Sequence, residues 1–250
     1  MHIPDGFLNN GVAGSLMGAA IGAVVFSLRK VRRGFLEKVP ALKQKLATFP
    51  SFDGNSEMSL QNRISKMGQE KMWRIATVGS LIFSAQMVNF PISGGTSGHL
   101  LGGVLAALIL GPFEAILVMT IILSTQALMF GDGGMLALGA NIFNMGIVGA
   151  LGGYGFFRFL MRGKIEKKGF LRSAFVAAWV SVIAASVVTS FEIAVSGTQD
   201  LSIVLPAMTL THIAIGCMEG VITATALSLL MKRGYRLAVF EKQAPETYAE

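Results

Sequence analysis

Charged residues are scarce in this chain. Asp, Glu, Lys and Arg make up 14% of its 250 residues, whereas soluble proteins carry about 25%. Hydrophobic residues reach 52%, and the 30 glycines follow no fixed period and lie mostly inside apolar segments. This composition excludes disordered and collagen-like chains and is typical of a membrane protein, in which small residues let helices pack closely.

Several motifs that would assign an activity are absent. The single cysteine, Cys217, excludes a disulfide framework and a cysteine metal cage. The sequence has neither the HExxH motif of membrane zinc proteases nor the ATP-binding motif GxxxxGK followed by Ser or Thr. The last apolar segment contains no lysine before Lys232, which excludes a retinal Schiff base. These absences argue against a membrane zinc protease and a retinal protein, and we expect the chain to be a transporter subunit and not an enzyme. Any active transport must then use ATP hydrolysed by another protein.

Positive charge is concentrated in three places. The 21 Lys and Arg residues lie within residues 29–74, 158–172 and 232–242, between long apolar runs. Although the formal net charge is +7, this clustering excludes nucleic-acid binding and instead marks cytoplasmic loops. The N-terminus is then expected outside and the C-terminus in the cytoplasm, with an odd number of membrane crossings.

Apolar runs suited to spanning a bilayer occur seven times. A spanning helix needs about 20 mainly apolar residues. The run from 98 to 130 is too long for one helix, because it would extend about 50 Å against a hydrocarbon core of about 30 Å, and Gly111-Pro112 supplies the break. We therefore predict an all-α integral protein of the cell (inner) membrane, a single domain over residues 1–250 with seven transmembrane helices. These are 11–28, 72–90, 98–110, 112–130, 134–157, 173–195 and 206–231.

A cytoplasmic insertion at 29–71 interrupts this domain. It carries two helix-compatible stretches, 36–49 and 59–73, on either side of a linker that contains Pro, Ser and Gly. Three interpretations are open: a surface helix pair, a contact with a partner, or a solvated loop that serves only to set the topology.

Met1 and His2 offer three nitrogen ligands on adjacent residues. Since no basic residue precedes Arg29, a secretory signal peptide is not expected, and the bulky His2 favours retention of Met1. The Met1 α-amine, the deprotonated His2 backbone nitrogen and the His2 imidazole would form fused chelate rings in one plane. A planar nitrogen set suits square-planar Cu(II) or Ni(II) rather than zinc, magnesium or calcium. The alternative is a solvated histidine.

His99 is the candidate for the fourth nitrogen. It follows the glycine-rich stretch 94–98 at the expected outer end of the third span, on the same side as residues 1–6. Pro4-Asp5-Gly6 has the residues of a turn that folds the N-terminus back onto the bundle. The other interpretation of His99 is a helix cap or a hydrogen-bonded core histidine.

Polar side chains near the same level are candidate supporting residues, because such groups are costly in lipid and usually face the bundle interior. They would orient the metal ligands from a second layer, or simply form interhelical hydrogen bonds. Asn141 and Asn144, three residues apart, are expected on one helix face. Asp5, Asp132 and Asp200 would create a negative potential that attracts cations, although topology alone explains the lack of basic residues there. The candidate supporting residues are Asp5, Gln86, Asn89, Asn141 and Asn144.

Two features of the first and last spans belong neither to the candidate metal ligands nor to the candidate supporting residues. His212 and Glu219 share a helix face about 10 Å apart, too far for one ion, and a structural role is favoured over a transit site or a gate. Gly14, Gly18 and Gly22 recur every fourth residue in the first span. Such a small-residue face packs against another helix of the chain or docks a partner subunit.

Four segments carry a resemblance to a known family. They are residues 1–8 (MHIPDGFL), 84–103 (SAQMVNFPISGGTSGHLLGG), 126–145 (QALMFGDGG running on to GANIFNM) and 212–220 (HIAIGCMEG). With these motifs the chain resembles the CbiM/NikM family, the metal-capturing S components of cobalt and nickel energy-coupling-factor transporters.

The resemblance implies a substrate-binding membrane component of an ATP-driven importer, which captures Co(II) or Ni(II) at the outer face with Met1, His2 and His99. It also implies a transmembrane coupling subunit, a pair of cytoplasmic ATPases and, in some systems, a small accessory membrane protein. The glycine face of the first span would be the coupling contact. Four nitrogens accept either ion, so the ligand set does not separate cobalt from nickel. The competing hypotheses are a stand-alone divalent-cation channel and a membrane-embedded metalloenzyme.

Overall fold

The protein is mostly helical in the computed structural model, which describes residues 1–47, 55–162, 169–235 and 237–241. Two parts of the chain change from α-helical to π-helical hydrogen bonding without a break: residues 112–130, and residues 138–160, where the chain returns to α-helix. The elements are α1 (Asn10–Ala47), α2 (Asn55–Gln86), β1 (Phe90–Pro91), β2 (Ser97–Gly98), α3 (Gly103–Leu110), α4 (Pro112–Thr125) with its π-helical end Gln126–Phe130, α5 (Leu138–Ile142), the π-helical stretch Phe143–Gly152, α6 (Gly153–Leu160), α7 (Phe170–Val195), α8 (Leu201–Lys232) and α9 (Ala238–Glu241).

Four helices in the described ranges are long and apolar enough to cross a membrane: Asn10–Phe35, Pro112–Phe130, Phe170–Val195 and Leu201–Lys232. They correspond to the predicted spans 11–28, 112–130, 173–195 and 206–231. The last one begins five residues earlier than predicted, so Pro206 lies inside α8. The total of seven spans and the orientation of the two termini stay predictions.

The third predicted span, 98–110, is helical only from Gly103 to Leu110. Eight residues extend about 12 Å, so α3 by itself is much shorter than a bilayer core. Its residues from Gly103 to Ile109 are buried, and it contacts α2, α4, α6, α7, α8 and α9. The prediction of a continuous span is therefore wrong: a β-hairpin strand and an irregular segment lead into a short central helix.

The predicted break between the third and fourth spans is present. Gly111 has a φ of +113°, a conformation that L side chains rarely adopt, and Pro112 stands at the first position of α4, where its missing N–H is not needed. The chain therefore turns sharply between α3 and α4.

The two helical stretches predicted within 29–71 are not a separate helix pair. α1 runs on to Ala47 and α2 begins at Asn55, so each stretch extends a neighbouring helix. The linker residues 48–54 lie outside the described part of the chain.

The glycine face of α1 is exposed. Positions Gly14, Gly18 and Gly22 are all exposed, and a methyl group added at any of them would meet nothing within 4 Å. The close contact of α1 with α5 uses another side, where Gly139 lies against the backbone of Met17. Of the two interpretations of this face, packing within the described chain is therefore wrong.

Candidate metal centre

The first residues of the chain are folded into the bundle. Met1 and Ile3 are fully buried and His2 is 3% exposed, although no helix or strand includes them. A turn at Pro4–Phe7 sends the chain inward, with Gly6 at φ +85° and a hydrogen bond from the Phe7 N–H to the Pro4 carbonyl. The turn predicted from Pro4-Asp5-Gly6 is thus present.

Ser97 receives two backbone donors from this segment. The Met1 amine and the His2 N–H each donate to the Ser97 hydroxyl oxygen at 3.0 Å. Ser97 belongs to β2, two residues before His99, so the hairpin loop carries both groups to the same place. Two nitrogens of the candidate chelate therefore converge on a single point.

Ile3 is held by a two-way contact with Asn141. Its N–H donates to Asn141 Oδ1 at 2.8 Å, and its carbonyl accepts from Asn141 Nδ2 at 3.1 Å. The same carbonyl accepts from the Gly134 N–H at 2.9 Å. The Ile3 side chain packs against Ala137 and Ala140, so both its backbone and its side chain are fixed.

Asp5 ties the turn to the start of the fifth predicted span. Its carboxylate accepts from the Met135 N–H at 3.1 Å and from the Leu136 N–H at 2.8 Å. A side chain at Gly134 would overlap the Asp5 backbone and carboxylate. Only glycine therefore allows residues 3–5 to approach this loop so closely.

His2 and His99 lie side by side. Their ring centroids are 4.3 Å apart and the planes differ by 19°. His99 Nδ1 lies 2.8 Å from the Leu100 carbonyl, which can only accept, so Nδ1 carries the proton and the Nε2 of a neutral ring has a free lone pair. The Nε2 atoms of both histidines are buried without a hydrogen-bond partner among the described residues.

Asp132 supplies negative charge beside His2. Its Oδ1 lies 3.1 Å from His2 Nδ1, although these two atoms lack hydrogen-bond alignment, and its Oδ2 accepts from Asn89 Nδ2 at 2.8 Å. Burial raises the pKa of Asp132, but the contacts with His2, the nearby amine and Asn89 together hold that pKa below its ordinary value. Asp132 therefore stays ionised.

Burial also changes the protonation of the nitrogens. It lowers the pKa of the Met1 amine well below its ordinary value, against the opposing effect of Asp132. It lowers the pKa of His2 as well, again opposed by Asp132. The neutral forms, which carry the lone pairs that metals need, are therefore favoured.

Side chains alone do not build a metal cage here. Within the described ranges, no group of three or more His, Cys, Asp and Glu residues is placed to hold an ion. A cation at this place would need backbone and amine nitrogens in addition to the two imidazoles.

Four of the five predicted supporting residues lie around this centre. Asp5, Asn89 and Asn141 make the contacts given above, and Gln86 donates from Nε2 to the Leu101 carbonyl at 2.6 Å, two residues after His99. Asn144 does not join them. Its Nδ2 donates to Thr189 at 3.0 Å and to Glu192 at 2.6 Å, so it links the π-helical stretch to α7.

His212 and Glu219 have separate partners. His212 is fully buried, and its Nδ1 lies 2.7 Å from the Met208 carbonyl one turn earlier in α8. Glu219 accepts from the backbone N–H groups of Leu101 and Gly102.

Sequence reasoning missed Ser97 and assigned Asp132 only to a general surface potential. Both lie inside the glycine-rich stretches that carry the resemblance, Ser97 between Thr96 and Gly98 and Asp132 between two glycines. A polar residue within a glycine-rich stretch was the sequence feature that could have identified both residues.

Comparison with known proteins gives a consistent result. Residues 58–237 match the family model CbiM, described as the cobalt uptake substrate-specific transmembrane region. A putative fused nickel transport protein NikMN from Archaeoglobus fulgidus is 34% identical over 232 residues, which cover 92% of this chain and 65% of that protein. A putative metal transport protein from Haloquadratum walsbyi is 35% identical over 227 residues, covering 90% and 87%.

Two further similarities extend this finding. The cobalt transport protein CbiM from Thermosipho melanesiensis is 30% identical over 209 residues, covering 81% of this chain and 86% of that protein. A crystal structure described as a transition metal transporter has a TM-score of 0.74 and 27% identity and covers all of both chains.

The two hydrogen bonds between Ile3 and Asn141 can be tested by chemical labelling of the Met1 amine. Asn141→Leu removes two hydrogen bonds of about 1 kcal/mol each, so residues 1–3 should open and an acylating reagent should modify the Met1 amine roughly 30-fold faster. Asn144→Leu is the matched control, because Asn144 touches α7 instead, and it should leave the labelling rate unchanged. Equal labelling rates in the two variants would contradict the role of Asn141 in holding residues 1–3 inside the bundle.

Proposed function

Because the chain belongs to the CbiM family of cobalt uptake substrate-specific transmembrane regions, we propose that it is the substrate-binding membrane component of an importer for divalent cobalt or nickel. It captures the ion at the outer face of the cell (inner) membrane and passes it inward. The chain itself is a transport component and not an enzyme. The names of the similar nickel and cobalt transport proteins support this proposal.

The ion is held by four nitrogens: the Met1 amine, the His2 backbone nitrogen, His2 Nδ1 and His99 Nε2. The observation that carries this proposal is the convergence of the Met1 and His2 nitrogens on Ser97 at 3.0 Å each, beside a stacked His99 ring 4.3 Å from that of His2. Coordination through His2 Nδ1 replaces its 3.1 Å contact with Asp132.

The chelate has a defined chemistry. Met1 and His2 close a five-membered and a six-membered ring around the ion, which holds three nitrogens in a plane and suits square-planar coordination. Binding requires loss of the His2 amide proton, so a divalent ion in this set keeps a net charge of one. The ionised Asp132 beside it balances that charge in a buried setting.

Release and energy come from partners. The chain lacks an ATP-binding motif, and its resemblance to energy-coupling-factor S components supports a pair of cytoplasmic ATPases that drives transport through a transmembrane coupling subunit, with a small accessory membrane protein in some assemblies. The coupling subunit docks on the exposed glycine face of α1, formed by Gly14, Gly18 and Gly22. Open space at these positions supports the docking, since it allows a second helix to approach closely.

Metal binding should require a free N-terminus. Placing two residues before Met1 moves the amine away and should weaken Ni(II) binding, measured by calorimetric titration, by more than about 100-fold, since losing an outer partner of a ligand already costs about 10–100-fold. The same protein with a C-terminal tag is the control. Undiminished affinity in the N-terminally extended protein would exclude the chelate.

His99 and His212 should differ in their effect on affinity. His99→Ala removes the fourth nitrogen and should weaken Ni(II) binding by about 100-fold or more, whereas His212→Ala should change it less than about 3-fold. His212 is the matched control because it is also buried and hydrogen-bonded to a backbone carbonyl. Similar losses in both variants would show that the ion binds deeper in the bundle.

Gly18→Leu should separate assembly from folding. The added side chain enters open space, so the isolated protein should melt and bind metal like the wild type, but it should no longer co-purify with the coupling subunit. Gly139→Leu is the contrasting control, because its side chain overlaps the Met17 backbone and should cost about 1–3 kcal/mol of stability. Lost stability with retained assembly in Gly18→Leu would reject the docking assignment.

A further inference from the structure

Glu219 places a carboxylate in the middle of the bundle. It is 3% exposed, and its two oxygens accept from the Leu101 N–H at 2.9 Å and the Gly102 N–H at 2.6 Å. These N–H groups stand immediately before the first residue of α3, where no carbonyl of the helix can pair with them. Because both oxygens are used on the backbone, Glu219 serves as a fixed anchor for this segment.

The anchored segment is the one that carries His99. Leu101 follows His99 by two residues, and His99 Nδ1 is itself bonded to the Leu100 carbonyl at 2.8 Å. From the opposite side, Gln86 of α2 donates to the Leu101 carbonyl at 2.6 Å. Leu101 and Gly102 are therefore hydrogen-bonded from α8, and Leu101 also from α2. The Nδ1 contact with the Leu100 carbonyl links the His99 ring to this fixed segment.

The same segment runs along one face of α8. Met208 Sδ lies 3.5 Å from the Thr96 N–H, and a methyl group at Gly98 would come within 2.8 Å of Ile215. Met208, Ile215 and Glu219 are seven and four residues apart, a spacing that places them on one stripe of a helix. Glu219 provides the charged contact at the end of this stripe, and α8 continues from there to Lys232.

We propose that Glu219 is the positioning residue for His99, and that it ties the fourth metal ligand to α8. This inference rests on the metal site proposed above. In a buried setting the carboxylate pairs two N–H groups that would otherwise be left without acceptors. Without it, residues 100–102 leave their place and take the imidazole out of the ligand plane, so the position of α8 controls whether the fourth nitrogen is available.

Glu219→Gln is the direct test. A glutamine keeps one oxygen for one N–H but presents an NH₂ group to the other. We expect Ni(II) affinity to fall by about 10–100-fold, as for other residues that orient a ligand, and the visible absorption band of four-nitrogen square-planar Ni(II) to move to lower energy. Glu192→Gln is the matched control, because Glu192 is a second buried glutamate, on α7, and it accepts from Asn144 instead of the segment after His99. Its affinity and band should match the wild type.

A double-mutant cycle separates positioning from general structure. If Glu219 acts through His99, then Glu219→Gln should cause no further loss of affinity in a His99→Ala background. A merely structural role would lower the affinity equally in both backgrounds and would overturn the proposal. If the glutamine variant does not fold, Glu219→Asp, which keeps the carboxylate but shortens its reach, takes its place in the same cycle.

The outcomes distinguish this inference from the function it rests on. Absence of Ni(II) binding in the wild-type protein with a free N-terminus would reject the proposed metal site itself. Wild-type binding with an unchanged affinity and absorption band in the Glu219 variant would reject only the positioning role.

Discussion

Burying residues 1–3 inside a helical bundle imposes a strict demand, because each polar backbone group brought out of water must find a partner there. An unpaired amide costs several kcal/mol in an apolar setting. Ser97 pairs with the Met1 and His2 nitrogens, and Asn141 pairs with both backbone groups of Ile3. The hairpin of β1 and β2, the loop that leads to α5 and the turn at Pro4–Phe7 all take the shapes that satisfy these groups.

The short central helix makes room for this arrangement. A full-length third span would put helical backbone where the segment 97–102 now lies, and His99 would then project from a regular helix. Irregular backbone inside a membrane protein is tolerated only when protein surrounds it and its polar groups are paired. Gln86 and Glu219 supply that pairing, so the elements that stabilise the irregular segment also fix the candidate ligand.

The charges around His2 also depend on burial and on close polar contacts. Burial lowers the pKa of the Met1 amine and of His2 and so favours their neutral forms, whereas the contacts of Asp132 beside His2 hold its pKa below the ordinary value. In the proposed site a divalent cation would gain the lone pairs of these nitrogens and a nearby negative charge. Glu219, by contrast, has both oxygens bonded to the backbone N–H groups of Leu101 and Gly102.

Several features of the architecture could be predicted from local patterns in the sequence. Scarce charge and long apolar runs determined the membrane class, Gly111-Pro112 determined a break, and Pro4-Asp5-Gly6 determined the inward turn, because each of these depends on local chemistry. His2 and His99 were predicted as partners because both were expected on the outer side of the membrane, although that topology gives no distance between them.

The tertiary structure decided what local chemistry cannot. An apolar run shows only that a segment avoids water, so it did not reveal that residues 99–102 are irregular and that α3 begins only at Gly103. Asn141 and Asn144 were expected on one face, but Asn141 bonds to Ile3, whereas Asn144, which lies in the π-helical stretch, bonds to Thr189 and Glu192 of α7. The pairings of Ser97 with Met1, Asp132 with His2 and Glu219 with Leu101 join residues 96, 130 and 118 positions apart. Such contacts follow from how whole helices pack, and no local pattern in the sequence encodes them.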